Sequence, residues 1–360
     1  MCPSNITTIA YYLGQFHPLE ENNKFWGEGF TEWHNVAKAR PLFIGHNQPV
    51  LPGRFGFYDL RLDDILLEQS KYANEIGVDV FCYWHYWFAG KRVLHKPLDK
   101  MLSLPNFKTK VMLGWANESW TGIWHGLSKE IIFKQTYNRN ELQNHAKLIA
   151  SYVNSNMYLK INNVSPFLIY KPLLIPDAKN YLNEMRELVR KEGGGDLYII
   201  GNWGPGSNEQ INRPINFGLD AVVANNVGRY FNSAFSRKFN NGLWHVLNKI
   251  GIGPQIRDYK STSETLLAAF AKVDGVIHAT AVAGWDNTPR SGRRGLVLSG
   301  FNEQSFRKAL NLALTLENRN KNKLLFLKSW NEWAEGNTLE PIFKSSWDRG
   351  NVLKEFTKIN

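Results

Sequence analysis

Short apolar runs alternate with amphipathic stretches along the 360-residue chain. Runs of this length, rich in β-branched and aromatic residues, are typical of buried strands. Eight of them are predicted as strands, at residues 6–13, 78–84, 110–116, 166–170, 197–201, 219–224, 276–283 and 324–330. Between the runs, apolar residues recur at the spacing of a helix face. These segments are predicted as helices, at residues 61–76, 97–102, 141–158, 178–191, 263–273, 303–316 and 347–359.

This alternation predicts an α/β fold, a (β/α)8 TIM barrel with extended βα loops that occupies residues 1–360 as a single domain. A doubly wound open sheet is the alternative. Its first strand is usually followed by a Gly-rich phosphate loop, and the segment YYLGQF at residues 11–16 is not such a loop. Residues 225–261, rich in Asn, Gly and aromatic residues, are predicted as a loop insertion in the barrel.

Aromatic and polar residues follow the predicted strands, at the end of a barrel where active sites form. Most of the chain's 13 Trp lie in these segments or in the first loop, whereas core packing alone predicts Trp in helices and strand middles. Aromatic rings beside amide and acid groups suit a sugar, which has apolar C–H faces and many hydroxyl groups. The predicted substrate-binding residues are Tyr12, His85, Trp87, Trp115, Asn117, Glu118, Trp285, Asp286, Trp330, Asn331 and Trp333.

Two carboxylates follow the last predicted strand, in the segment NEWAEG at residues 331–336. Glu332 and Glu335 are three residues apart, so they can converge on one bond. Cleavage of a glycosidic bond commonly needs one ionised and one protonated carboxyl group. Burial beside Trp333 would raise one pKa, and mutual repulsion would hold the pair in different protonation states. An isolated E-x-x-E is more often a solvated turn, but the preceding apolar strand and the neighbouring tryptophans favour a catalytic pair.

The chain carries a formal net charge of +11, most of it scattered as ordinary surface charge. Neither zinc-finger spacing nor an RNA-binding motif is present, so we expect no nucleic-acid partner. Arg290, Arg293 and Arg294 lie together in a Gly-rich loop after the seventh predicted strand. Many barrels bind phosphate near this position, which makes the three arginines anion-binding candidates.

Neither a membrane helix nor a secretory signal is predicted, because the apolar runs are too short and the N-terminus has no basic start followed by an apolar core. Cys2 and Cys82 are predicted as free thiols, which is typical of a reducing compartment. We therefore expect a cytoplasmic protein. No helical His pair with metal-ligand spacing and no cofactor motif is present, so we expect neither a metal nor a cofactor.

The segments YYLGQFHP at residues 11–18 and WGEGFTEW at residues 26–33 resemble the opening of the WbsX-type glycosyltransferase family, also described as glycoside hydrolase family 99-like. Segments at residues 56–61, 81–88, 115–120 and 330–341 continue the match. The resemblance implies a (β/α)8 fold and a role in making surface polysaccharides such as O-antigen or capsule. The endo-α-mannosidases, more distant relatives, use two carboxylates in a similar E-W-x-E-G motif.

The resemblance also implies a role for each carboxylate. Glu332 would be the base that deprotonates the 2-hydroxyl of the substrate's own sugar, giving retention through an anhydro-sugar. Glu335 would be the acid that protonates the leaving oxygen. Ala334 stands where the mannosidases have a His or a similar polar residue, so the resemblance does not extend to mannose specificity.

Three functions are compatible with these features. The first is a retaining glycoside hydrolase that acts on α-linkages of an oligosaccharide or polysaccharide. The second is a glycosyltransferase that uses a nucleotide-sugar or lipid-linked donor held by the arginine loop, although neither an Asp-x-Asp motif nor a nucleotide-binding Gly loop is present. The third is a non-catalytic glycan-binding barrel, which the intact acid pair argues against.

Overall fold

A ring of parallel strands forms the centre of the computed structural model, which describes residues 6–121, 131–203, 214–224, 253–270 and 275–359. Each strand pairs with the next in chain order, and the last pairs with the first. The ring confirms the predicted (β/α)8 barrel and excludes the open sheet. The strands are Thr7–Tyr12 (β1), Val80–Phe88 (β2), Lys110–Trp115 (β3), Ser165–Ile169 (β4), Leu197–Trp203 (β5), Ala221–Ala224 (β6), Ile277–His278 with Thr280–Val282 (β7) and Leu324–Lys328 (β8).

Helices connect the strands, and the longer ones cover the outside of the ring. Their bounds are Glu20–Trp26 (α1), Glu32–Ala37 (α2), Asp63–Ile76 (α3), Lys96–Ser103 (α4), Arg139–Val153 (α5), Ala178–Lys191 (α6), Tyr259–Phe270 (α7), Thr288–Ser291 (α8), Glu303–Glu317 (α9) and Arg349–Ile359 (α10). Among the described residues, no helix has both the length and the apolar character needed to cross a membrane.

One predicted helix start is wrong: α7 begins at Tyr259 rather than at Ser263. The ring of Tyr259 is buried and its hydroxyl donates to the backbone oxygen of Val282 at 2.6 Å. This contact fixes the first turn of α7 against β7. The predicted insertion therefore does not run as a loop to residue 261, while its residues 225–252 lie outside the described part of the chain.

Short elements follow the carboxyl ends of the barrel strands and build the surface around the site. Strand Lys91–Val93 pairs with β2, Trp120–Thr121 with Ile131–Phe133, Gln255–Asp258 with Leu296–Ser299, and Asn331–Glu332 with Asn337–Thr338. Single 3-10 turns are formed by Pro172–Leu174, Pro214–Phe217, Gly292–Arg294 and Trp333–Glu335.

Aromatic side chains pack across the inside of the barrel. Tyr11 stacks on Trp84 with a centroid distance of 5.3 Å and contacts Phe326 at 5.6 Å, which joins β1, β2 and β8. All three side chains are buried. Burying a large apolar side chain stabilises a fold by roughly 1.5–3 kcal/mol, so this layer both holds the strands together and supports the site above it.

The barrel closes at β7, which is interrupted at Ala279. The first piece of β7 pairs with β6 and the second with β8. The buried carboxylate of Glu317, at the end of α9, accepts hydrogen bonds from the backbone N–H groups of Ala279 and Leu324, the latter at 3.1 Å. It also lies 3.2 Å from Nδ1 of His278. Glu317 thus provides acceptors for buried backbone N–H groups at β7 and β8, next to the point where the ring closes.

We predict that Glu317→Ala lowers the free energy of unfolding by about 3 kcal/mol, because it leaves at least two buried N–H groups without an acceptor. The measurement is urea unfolding followed by Trp fluorescence. Glu303→Ala, an exposed position on the same helix, is the matched control and should change stability by about 0.5 kcal/mol or less. Equal effects of the two substitutions would contradict this role for Glu317.

Candidate active site

The two predicted catalytic carboxylates lie on the loop that follows β8. Glu332 belongs to a short strand pair, and Glu335 ends the 3-10 turn that comes next. Gly336 closes the turn with a φ of 65°, and a Cβ there would lie 2.8 Å from the backbone nitrogen of Asp286. Glycine is therefore required for this close approach. The tight loop places both carboxyl groups on the same cleft.

Two buried side chains anchor this loop to the barrel. Asn331 accepts a hydrogen bond from the backbone nitrogen of Leu13 at 2.8 Å and donates to its oxygen at 3.0 Å. The indole nitrogen of Trp333 donates to a carboxyl oxygen of Glu340 at 2.6 Å. Asn331 and Trp333 are predicted above as substrate-binding residues, but the structure places them beneath the loop, where they hold it.

Asp286 connects three loops at this end of the barrel. Its carboxylate lies 2.8 Å from Nε2 of His46 and accepts hydrogen bonds from Gln48 at 2.6 Å and from the Thr288 hydroxyl at 2.6 Å. Burial alone would raise the pKa of Asp286, but these hydrogen bonds outweigh it and lower the pKa. The backbone nitrogen of Asp286 donates to the oxygen of Glu335 at 2.8 Å. Asp286 is therefore ionised and held in place by its neighbours, and its backbone nitrogen fixes the position of the acid loop.

One guanidinium bridges the acid pair. Nη1 of Arg290 lies 2.7 Å from Oε1 of Glu335, and Nη2 lies 3.0 Å from Oε2 of Glu332. The remaining donor, Nε, lies 3.1 Å from Oε2 of Glu32, a third carboxylate from α2. Lys328, the last residue of β8, brings its ammonium to 3.5 Å from Oε2 of Glu335. We call these five residues the charge cluster; no side chain in it is more than 15% exposed.

The two carboxylates of the pair differ in proton affinity. Burial, and then the nearby charge of Glu335, raise the pKa of Glu332 to about 7. Burial opposes ionisation of Glu335 as well, but Lys328 and Arg290 outweigh it and lower the pKa of Glu335. The free site therefore holds a proton on Glu332 more readily than on Glu335. The resemblance implies that Glu332 is the base and Glu335 the acid, which requires the opposite order of proton affinity.

An open cleft with an empty volume of about 1290 Å³ lies over the acid pair. Trp120 stacks on Tyr86 with a centroid distance of 5.3 Å, and Trp84 meets Tyr170 edge-on at 5.4 Å. The full lining is Leu13, Gln15, Trp26, Glu32, Trp84, Tyr86, Phe88, Ala116, Glu118, Ser119, Trp120, Thr121, Tyr170, Arg290, Lys328, Glu332 and Glu335. Rings and carboxylates thus share one concave surface.

Among the predicted substrate-binding residues, only Glu118 lines this cleft; its carboxylate pairs with Lys171. Three of the others point from the strands toward the helices instead. Tyr12 donates to Gln69 of α3 at 2.6 Å. The other two contact α5, since His85 and Trp115 both pack against His145.

Strand geometry explains these misplacements. Successive side chains of a strand point to opposite faces, so only alternate residues reach the inside of a barrel. On β2, Trp84 and Tyr86 face the cleft, whereas His85 and Trp87 face α5, where Trp87 stacks on His145. The sequence of β2 correctly predicts where the strand ends, but it does not show which of the two alternating sets of side chains faces the inside of the barrel.

The remaining candidates hold the surrounding structure together. The side-chain amide of Asn117 accepts from the backbone nitrogen of Lys171 at 2.7 Å and donates to its oxygen at 2.8 Å, which joins the loops after β3 and β4. Trp330 is buried against Phe81 at 4.9 Å. Trp285 lies under the ammonium of Lys328, 5.1 Å from it. Asn117, Trp285 and Trp330 therefore do not line the cleft, and they support it through the residues that they contact.

The three arginines of the predicted anion site do not converge. Arg290 lies in α8 and is fully engaged by the carboxylates of the charge cluster. Arg293 and Arg294 lie on the following 3-10 turn and are exposed. Glu32 and Lys328 are cluster residues that sequence reasoning missed. A lysine inside the apolar run LLFLKSW is the signal that could have identified Lys328.

A (β/α)8 barrel with two adjoining carboxylates in an aromatic cleft has the layout of a carbohydrate-active site. Residues 8–350 match the family described as "Glycosyltransferase WbsX". The chain therefore belongs to this family, as the resemblance indicates.

Both a curated protein sequence and several solved structures are similar to this chain. An uncharacterized protein, WxcX, of Xanthomonas campestris pv. campestris is 32% identical over 348 residues, which are 93% of this chain and 47% of that protein. The chain thus spans about half the length of the curated relatives it matches.

Among solved structures, the GH99 endo-alpha-mannosidase of Bacteroides thetaiotaomicron is 15% identical with a TM-score of 0.58, covering 98% of this chain and 95% of that one. A glycoside hydrolase-like protein is 15% identical with a TM-score of 0.63, covering 99% and 94%. At this identity the two structures support the fold.

Glu340 is a further buried carboxyl group, directly behind the acid loop. It accepts hydrogen bonds from Trp333 at 2.6 Å, Tyr58 at 2.9 Å and Gln69 at 2.6 Å. Burial raises the pKa of Glu340 to about 8, although the hydrogen bonds act in the opposite direction. The folded chain therefore keeps a proton that the unfolded chain has already lost, so stability falls as the pH rises from about 4.5 to about 8.

We predict that Glu340→Gln flattens this pH dependence, because the amide has no proton to lose. The melting temperature should fall between about pH 5 and pH 8 by at least about 4 °C less than in the wild-type protein. Scanning calorimetry across this range is the measurement, with the exposed Glu28→Gln as control. Parallel curves for Glu340→Gln and wild type would mean that the three donors keep Glu340 ionised.

Proposed function

We propose that this protein is a carbohydrate-active enzyme that makes or breaks glycosidic bonds of a bacterial surface polysaccharide, with Glu332 and Glu335 as its acid–base pair. The observation that carries the proposal is that two carboxyl groups lie on one cleft, bridged by Arg290. Their surroundings raise the pKa of Glu332 and lower that of Glu335. Unequal proton affinity is what a general acid and a general base need at the same pH.

The favoured reaction is retaining hydrolysis assisted by the substrate. The ionised carboxylate of the pair removes the proton of the sugar's 2-hydroxyl, and the oxygen attacks the anomeric carbon to form an anhydro-sugar. The protonated carboxyl group gives its proton to the leaving oxygen as that bond breaks. In the second half the roles exchange: one group deprotonates water, which opens the anhydro-sugar, and the other returns a proton to the 2-oxygen.

The cleft walls suit an oligosaccharide. Trp120 and Tyr86 form one aromatic surface, and Trp84 and Tyr170 form another. Such surfaces bind the C–H faces of sugar rings, while the carboxylate of Glu118 accepts hydrogen bonds from hydroxyl groups.

A glycosyltransferase is the second candidate, and the description of the matching family favours it. The charge of the cleft favours the hydrolase. Four carboxylates, those of Glu32, Glu118, Glu332 and Glu335, line it together with two cations, Arg290 and Lys328. With the proton on Glu332 and with Lys171 paired to Glu118, the positive and negative groups there balance, so a diphosphate donor would meet no excess of positive charge. A donor site would therefore have to use other residues, such as the exposed Arg293 and Arg294.

Incubation with O-antigen and capsule oligosaccharides, with and without sugar nucleotides, separates the two candidates. Cleavage products without a donor, detected by mass spectrometry, support the hydrolase. Chain extension that requires the donor supports the transferase. Absence of both, with glycan binding retained, supports a binding barrel and overturns the proposed enzyme.

We predict that Glu332→Gln and Glu335→Gln each lower kcat by at least about 10²-fold, because each removes one proton-transfer group. Product formation in the assay above is the measurement. Glu28→Gln, an exposed acid outside the cleft, is the control and should retain wild-type turnover. Near-wild-type turnover of either cleft variant would exclude that residue from the pair.

We predict that Trp120→Ala raises KM about tenfold, since it removes one aromatic surface worth about 1.4 kcal/mol to a bound sugar ring. Trp120→Phe, which keeps a ring at the position, should stay within about threefold of wild type. Initial rates over a range of oligosaccharide concentrations give both values. An unchanged KM in Trp120→Ala would place the sugar elsewhere in the cleft.

A further inference from the structure

The charge cluster is not symmetric about the two carboxylates of the acid pair. Arg290 contacts both, with one terminal nitrogen on each. Lys328 forms an ion pair with Glu335 only, at 3.5 Å, and Asn337 lies 3.5 Å from the same oxygen. Both oxygens of Glu335 are thus occupied by donors.

Glu332 has fewer partners. Its Oε2 accepts from Arg290. In the parts of the chain that the structure describes, no group donates to its other oxygen, Oε1, although the side chain lines the cleft. A carboxyl oxygen without a donor has room to carry a proton, whereas one that already accepts from a cation does not.

We propose that Lys328 is a positioning residue of the acid pair: it lies against Glu335, keeps the negative charge there, and leaves the proton of the pair on Glu332. With that proton in place, Glu32 and Glu335 carry two negative charges against the two positive charges of Arg290 and Lys328. The buried cluster is then neutral, which is the least costly state for groups so little exposed to water.

The charged and titratable groups that face the pair come from several elements. Glu32 lies on α2, Arg290 on α8, and Lys328 at the end of β8; Glu118 and Tyr86 line the same cleft. Lys328 also lowers the pKa of Glu332, from farther away than Arg290 does. For Glu335, which Lys328 contacts, the lysine lowers the pKa more than Arg290 does, whereas for Glu332 the order of the two cations is reversed.

The inference assigns roles within the pair and in that respect rests on the proposed function. Glu332 would be the general acid that protonates the leaving oxygen, and Glu335 the base. These roles are exchanged relative to those that the resemblance to the endo-α-mannosidases implies. The placement of the proton itself is a property of the unliganded protein and can be measured without a substrate.

The experiment is a ¹³C NMR titration of the full chain labelled at the glutamate side-chain carboxyl carbons. The Glu332→Gln and Glu335→Gln variants assign the two signals of the acid pair, and Glu340→Gln assigns that of the other glutamate whose pKa is raised. In the wild-type protein we expect the pKa of Glu332 near 7 and that of Glu335 below its usual value of 4.5. In Lys328→Met the pKa of Glu335 should rise by about 1 or more, so the difference between the two groups narrows.

Three further variants separate this effect from a general loss of structure. Lys328→Arg should restore the wild-type order, and Arg290→Gln should raise the pKa of both carboxyl groups by similar amounts, because the guanidinium contacts each of them. Lys171→Met removes the lysine that pairs with Glu118 in the same cleft and should leave both values unchanged. The dispersion of the spectrum shows that each variant is folded.

Two results would overturn the inference: a higher pKa for Glu335 than for Glu332 in the wild-type protein, or an unchanged difference in folded Lys328→Met. Either result leaves the proposed enzyme intact, with the roles that the resemblance implies. Lack of turnover on every glycan tested would count against the proposed function and would not affect the titration.

Discussion

The ion pairs of Arg290 determine the shape of the acid end of the cleft. Its three donor nitrogens meet carboxylates from two other regions: Glu32 of α2, and Glu332 and Glu335 of the loop after β8. Charged groups with so little access to water are stable only when paired. Without the guanidinium, three carboxylates would face one another across a small volume. The loops after β1, β7 and β8 are therefore held in register by a single side chain.

The same three strands are also joined by groups outside the charge cluster. Asn331 binds the backbone of Leu13 after β1, and Asp286 after β7 binds the backbone of Glu335. Lower in the barrel, Glu317 accepts from backbone nitrogens of β7 and β8. Buried polar groups thus link these strands at two levels below and beside the acid pair. Such links restrict the carboxyl groups to one geometry, which acid–base chemistry requires.

The barrel could be predicted from the sequence because its apolar runs and helical spacings are regular, and the acid pair because two carboxylates follow an apolar strand beside tryptophans. The residues that line the cleft could not, since alternation along a strand assigns Trp84 and His85 to opposite faces and composition does not show which of the two faces inward. Glu32 and Lys328 were missed for another reason. The role of Glu32 depends on Arg290, which is 258 residues away, and the role of Lys328 depends on a loop that folds back and brings Glu335 to 3.5 Å.

The described lining of the cleft holds two of the 43 Lys and Arg residues and four of the 32 Asp and Glu residues, so it does not carry the chain's net charge of +11. Three clustered arginines suggest an anion site in the sequence, but Arg290 is neutralised by carboxylates and only Arg293 and Arg294 are exposed. An excess of positive surface charge attracts an anionic polysaccharide over the range of the Debye length, about 8–10 Å. The cleft is a different environment, in which the two cations Arg290 and Lys328 are paired with carboxylates. Under the proposed function, surface groups would therefore attract the polymer, while the separate set of groups that lines the cleft would bind the reacting sugar.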